Sequence, residues 1–182
     1  LTRYGARVRV LGILLVLLTV PNFMGDVFQI FCRSEWNVTT KQFSSILSIY
    51  ALVGIASNTF GSVLVRRVGI QRFTILAIVS RMISLVATIA FGYHGSIVGT
   101  IVGFLGVAQS IGIVAALVAA GSDLPQGEMA GDRASLMALL KVIGPILYST
   151  LYSYGQQWWG QTHLPFYFNL VLSAAALVLS VK

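Results

Sequence analysis

Acidic side chains are scarce in this chain: Asp and Glu together number 5 among 182 residues, and charged residues of both signs make up only 9%. A soluble domain carries roughly 25% charged residues, enough to cover its surface with groups that water solvates. That cover is missing, so the expected solvent is the hydrocarbon of a lipid bilayer. Cysteine is nearly absent too. Cys32 stands alone, which excludes an intramolecular disulfide and any cysteine-built zinc or iron-sulfur centre. The chain has no glycine loop to cradle a phosphate, no nucleophile beside a base and no carboxylate pair suited to hydrolysis. No catalytic residue, no cofactor and no enzyme activity are therefore expected. His94 and His163 have no neighbouring ligands in sequence, so no metal site is expected either. Leu1 replaces an initiator Met and no cleavable leader follows, and the chain is expected to be an internal or C-terminal piece of something longer.

What is present is apolar: 57% of residues are hydrophobic and the mean hydropathy is +0.86. A helix rising 1.5 Å per residue needs about 20 apolar residues to cross about 30 Å of hydrocarbon. Stretches at 8–31, 42–65, 73–91, 96–120, 134–155 and 164–181 qualify. The expected fold is an all-α integral membrane protein, one bundle of six transmembrane helices over residues 1–182. A net charge of +7 would suggest nucleic acid in a soluble chain, but here the basic residues sit in short clusters between apolar runs, so no nucleic-acid partner is expected. Arg3, Arg7, Arg9, Arg66, Arg67, Arg72, Arg133, Lys141 and Lys182 fall on one side of the expected spans, and only Arg33 and Lys41 on the other. Basic loops stay in the cytoplasm, which puts both termini there. Trp36, Trp158, Trp159 and Tyr167 form the aromatic belt expected at the opposite interface.

Within the first span Thr19, Asn22, Asp26 and Gln29 recur every three or four residues and share a face, beside helix-interrupting Pro21 and Gly25. An ionised carboxylate in hydrocarbon costs a few kcal/mol or more, so Asp26 is expected to line a water-accessible cavity; the alternative is a helix end already among headgroups. Arg81 lies deep in the third span, where it either snorkels back to the interface or binds a solute or partner. Tyr148 and Tyr152 follow Gly144 and Pro145 and are one turn apart, able to present two hydroxyls to a path or to pack as aromatic core. Gln109, Ser110 and Asn58 either line a path or hydrogen-bond between helices. Small residues at Gly54, Ser57 and Gly61 and at Gly99, Gly103 and Gly106 suit close helix packing. Asn37, Val38 and Thr39 form a glycosylation sequon in an expected outer loop, and Asp123, Glu128 and Asp132 are expected in a solvated inner loop.

The segment Ser62, Val63, Leu64, Val65, Arg66, Arg67, Val68, Gly69, Ile70, Gln71, Arg72 resembles the signature joining the second and third helices in each half of major facilitator superfamily transporters. The family pattern begins with Gly and carries Asp where this chain has Ser62 and Arg66. Gln126 to Gly131, followed by Gly144, Pro145, Ile146, Leu147, Tyr148 and Tyr152, is similar to the tenth loop and eleventh helix of the tetracycline-efflux-like branch. The resemblance implies the C-terminal six-helix half of a secondary transporter. It also implies alternating access, a small-molecule substrate, an N-terminal half as partner, and a gating role for Arg66, Arg67, Gly69 and Arg72. Asn22, Asp26, Gln29, Arg81, Tyr148 and Tyr152 are then the expected cavity wall. A non-transporting scaffold, receptor or assembly subunit on the same fold is the rival expectation.

Overall fold

A computed structural model describes residues 5–121, 125–159 and 162–181; the side chains of Asp26 and Trp159 lie outside the described set. The described residues form helices and turns, with no strand among them. Among the described residues, five helical stretches are long and apolar enough to cross a membrane, which fits a multi-pass membrane protein. Their outward faces are apolar, with Leu52, Phe60, Phe91, Val142, Ile146 and Val171 exposed.

The first stretch is broken. Helix α1 (Ala6–Thr19) passes into a 3-10 turn (Val20–Met24) and then into α2 (Gly25–Ser34). Pro21 has no N–H to give and stands in the first turn of the 3-10 segment, which is why the break falls there. Helix α3 (Thr40–Val68) starts on a capping box: the Gln42 amide donates to Thr39 Oγ1 and the Thr39 amide donates to Gln42 Oε1 at 2.9 Å. It ends at Gly69, whose φ of 89° suits glycine, and α4 (Ile70–Val102) begins at once.

Gly92 reverses α4 on a single residue, with φ 58° and ψ −132°. The two arms then pack antiparallel, because glycines on the second let it approach the first. A Cβ on Gly99 would sit 3.0 Å from that of Ala87, and one on Gly103 would sit 2.6 Å from the Ser80 carbonyl oxygen. The expected spans 73–91 and 96–120 thus correspond to these arms, but the expected loop at 92–95 does not form. The second arm breaks as the first stretch does, into a 3-10 turn (Phe104–Ala108) followed by α5 (Gln109–Ala120).

Helix α6 (Gln126–Trp159) is longer at both ends than the expected 134–155. Glu128 and Asp132 therefore lie in its opening turns and not in a loop, since Glu, Met, Ala and Leu favour helix and an acidic first turn suits the helix dipole. Asp123 lies outside the described residues. Helix α7 (Leu164–Val181) matches the expected 164–181 and packs against α1 and α4.

Alternation of direction gathers Arg7, Arg9, Arg66, Arg67, Arg72 and Arg133 at one end, where Gln71 Nε2 donates to the Ser180 carbonyl at 3.2 Å. The other end is aromatic. Phe31 meets Trp36, His163 and Phe166 with ring centroids 5.0, 5.1 and 4.9 Å away, and Trp36 covers the reversal at Gly92.

Candidate functional site: a polar layer between two broken helices

Where a helix changes to 3-10 geometry its carbonyls lose regular partners and must find others or meet water. Both breaks are served by side chains from neighbouring segments. Gln109 Nε2, only 2% exposed, donates to the Leu18 carbonyl at the end of α1 at 2.8 Å. Ser57 Oγ of α3 donates to the Phe104 carbonyl in the second break at 2.6 Å.

Helix α6 reaches the first break through Gly144, where a Cβ would stand 2.6 Å from Cγ of Phe23. One turn on, Tyr148 is fully buried and its hydroxyl donates to Asn169 Oδ1 of α7. The Asn169 amide in turn meets the Met24 sulfur at 3.2 Å. Tyr50 of α3 is joined to Ser96 at 2.7 Å.

Apart from Tyr50 and Ser96, which lie nearer the aromatic end, these groups fall where two apolar clusters meet, midway along the bundle. On the basic side lie Leu14, Leu15, Leu18, Ile78, Ile113 and Ala176. On the aromatic side lie Met24, Phe28, Phe31, Phe43, Leu85 and Phe166. Among the described residues, three buried side-chain polar atoms have no hydrogen-bond partner: Arg81 Nε, Gln109 Oε1 and Ser173 Oγ. Two of them fall between the clusters in chain position, Arg81 between Ile78 and Leu85 and Ser173 between Phe166 and Ala176. Unpartnered buried polar atoms are uncommon in folded proteins, and water or a ligand is their ordinary complement.

The residues expected from sequence are only partly brought together. Asn22 is exposed, Thr19 and Gln29 are half-buried, and the Asp26 backbone lies in the first turn of α2. Arg81 is half-buried, within electrostatic reach of Tyr50 and Tyr148. The two tyrosines of α6 diverge: Tyr148 turns inward to Asn169, while Tyr152 pairs with Ser34 Oγ at 2.9 Å. Tyr148 is therefore an enclosed bonding residue and not an open cavity wall. Arg66 and Arg67 close α3, Gly69 is the link, and Arg72 opens α4, all exposed at the basic end. Asn37 is exposed with φ 49°, between α2 and α3. Gln109 bonds between helices and Ser110 is exposed, as is Asn58. Asn169 and Ser173 were not expected. An amide in the otherwise apolar α7 was the signal that would have found the first.

Two hollows lie elsewhere. A polar groove of about 470 Å3 runs along α6, lined by Ser149, Thr150, Ser153, Tyr154, Gln157 and Trp158, so that one helix supplies its wall. A cavity of about 380 Å3 opens at the basic end between α1, α5 and α6, with Met129, Asp132 and Arg133 in its lining.

No protein-family model, curated protein or solved structure matches the chain.

Proposed function

We propose that the chain is a six-span half of a secondary transporter of the major facilitator type, moving a small organic solute by alternating access between this bundle and a second six-helix half, with the layer around Leu18, Gln109 and Asn169 bracing the broken helices. The observation that carries this reading is the pair of 3-10 breaks. With the arms of α4 counted as separate spans, the breaks fall in the first and fourth spans, which on this reading are corresponding members of two three-helix repeats. Interrupted helices at matching repeat positions mark solute sites in carriers, because freed backbone groups are tolerated at membrane depth only beside protein or a wet cavity. The unpartnered Gln109 Oε1 and Ser173 Oγ support the same layer. On this reading the basic end faces the cytoplasm, and a second six-helix half supplies the missing wall of the α6 groove.

The polar α6 groove also favours a second reading, in which the fold is a membrane scaffold or receptor that docks a partner helix and transports nothing. Solute counterflow separates the two. Full-length protein in vesicles preloaded with a mixture of sugars, amino acids and carboxylates is expected to exchange at least one labelled counterpart above protein-free vesicles. Gln109→Leu and Asn169→Leu are expected to reduce that exchange at equal protein content. Absence of exchange for every class would remove the carrier reading.

A further inference from the structure

Resting on the carrier reading, we infer that Arg81 is the recognition group for an organic anion, a small solute whose carboxylate or comparable oxyanion pairs with the guanidinium in the middle of the bundle. Arg81 stands eleven residues after Ile70 and ten before Phe91, hence about 16 Å of helical rise from the start of α4. An arginine side chain cannot snorkel over that distance to an interface. Its backbone is held in place, since Gly106 packs so tightly that a Cβ there would lie 2.8 Å from the Arg81 Cα.

Guanidinium remains charged under any condition a cell offers, so at this depth the half-buried side chain needs water or a counter-charge beside it. No partner is at hand among the described residues: Nε is buried without a hydrogen bond. The two side chains in electrostatic reach, Tyr50 and Tyr148, are neutral phenols already bonded to Ser96 and Asn169. A planar fork of donors whose buried Nε is unfilled matches a carboxylate in two-point geometry, and the nearby phenol rings suit an apolar body attached to that group. Lipid phosphates carry the same charge but lie at the ends of the helix, so depth selects a soluble anion. One rival counter-charge exists in the sequence. Asp26 is the acidic residue within an apolar stretch.

The test is thermal unfolding of the full-length protein in discs of uncharged phosphatidylcholine, with benzoate and its neutral amide, benzamide, as probes. Benzoate is expected to raise the midpoint saturably and benzamide to leave it unchanged. Arg81→Met is expected to raise the ligand-free midpoint and abolish the benzoate response, and Arg81→Lys to retain a weaker one. Benzoate without effect, or no better than benzamide, overturns the proposal. It is overturned equally if Arg81→Met and Asp26→Asn each lower the midpoint and the double variant is no worse than either, because the cation is then neutralised internally. Arg81-dependent benzoate binding with no exchange of any solute class by the vesicles upholds the anion site and removes the carrier. Exchange of neutral solutes without any anion response does the reverse.

Discussion

Gln109 and Leu18 are 91 residues apart in sequence, yet the side-chain amide of one donates to the backbone carbonyl of the other at 2.8 Å. The bond ties the end of α1 to the start of α5, so each broken helix helps hold the other at its weakest point.

Removing that donor leaves a buried carbonyl without a partner, a penalty of about 1 to 3 kcal/mol. Gln109→Leu is therefore expected to unfold earlier on heating in detergent, because a leucine side chain has no N–H to offer. Ser110→Ala, at the exposed neighbour, is the control expected to leave the midpoint unchanged. Equal midpoints for the Leu variant and this control would show that the bond contributes nothing.

Glycines that look alike in sequence are not alike in space. A Cβ on Gly54 would meet nothing nearer than Val107 at 3.9 Å, whereas on Gly144 it would press on Phe23 at 2.5 Å. Gly144→Ala is expected to destabilise by about 1 to 3 kcal/mol through overpacking. Gly54→Ala is expected to be neutral or slightly stabilising, since alanine suits a helix interior better. The order of the two melting midpoints checks this, and a reversed order would refute the close approach of α6 to the first break.

Thr39 and Gln42 announce the start of α3, and the largely apolar run 164–181 announces α7, because capping and hydrophobic length are local properties of the chain. Pro21 likewise marks the first break. The hairpin at Gly92 is harder to see: a single-residue reversal between two apolar helices lacks the polar loop that usually signals one. The second break is hidden for a related reason, as Phe104–Ala108 reads like any apolar helix and contains no proline. The polar layer is the least legible part. Gln109 and Ser57 act on backbone carbonyls, which every residue has, so no pattern of side chains names their partners. Tyr148 and Tyr152 share a helical spacing but are drawn to Asn169 and Ser34 on different helices, and spacing alone does not record that divergence.

Membrane orientation follows from charge and is open to direct labelling. On a Cys32→Ser background, a cysteine replacing exposed Arg67 is expected to react with impermeant reagent only after permeabilisation, and one replacing exposed His94 without it. The opposite pattern would invert the topology. Neutralising Arg66, Arg67 and Arg72 together is expected to disturb insertion, as the proposed orientation draws on these charges jointly, while single losses are expected to be tolerated. Wild-type orientation and abundance in the triple variant would sink that expectation.

Asp26 is the acidic position whose replacement bears most directly on function. Its backbone lies in the first turn of α2, two residues beyond Met24, the residue that receives the Asn169 amide. A carboxylate in such a stretch is costly unless it meets water, a cation or a substrate. If the group were only structural, Asp26→Asn would lower abundance and melting temperature, with a penalty of about 1 to 3 kcal/mol for the unpaired polar group it leaves. The expected outcome is different: Asp26→Asn protein folds and inserts at wild-type abundance, while solute exchange by the full-length protein falls or loses its dependence on pH. Abundance and exchange are measured in the same membranes, so that a loss of protein is not mistaken for a loss of transport. Unchanged exchange across the pH range with Asn in place would show that Asp26 takes no part in the chemistry of the path.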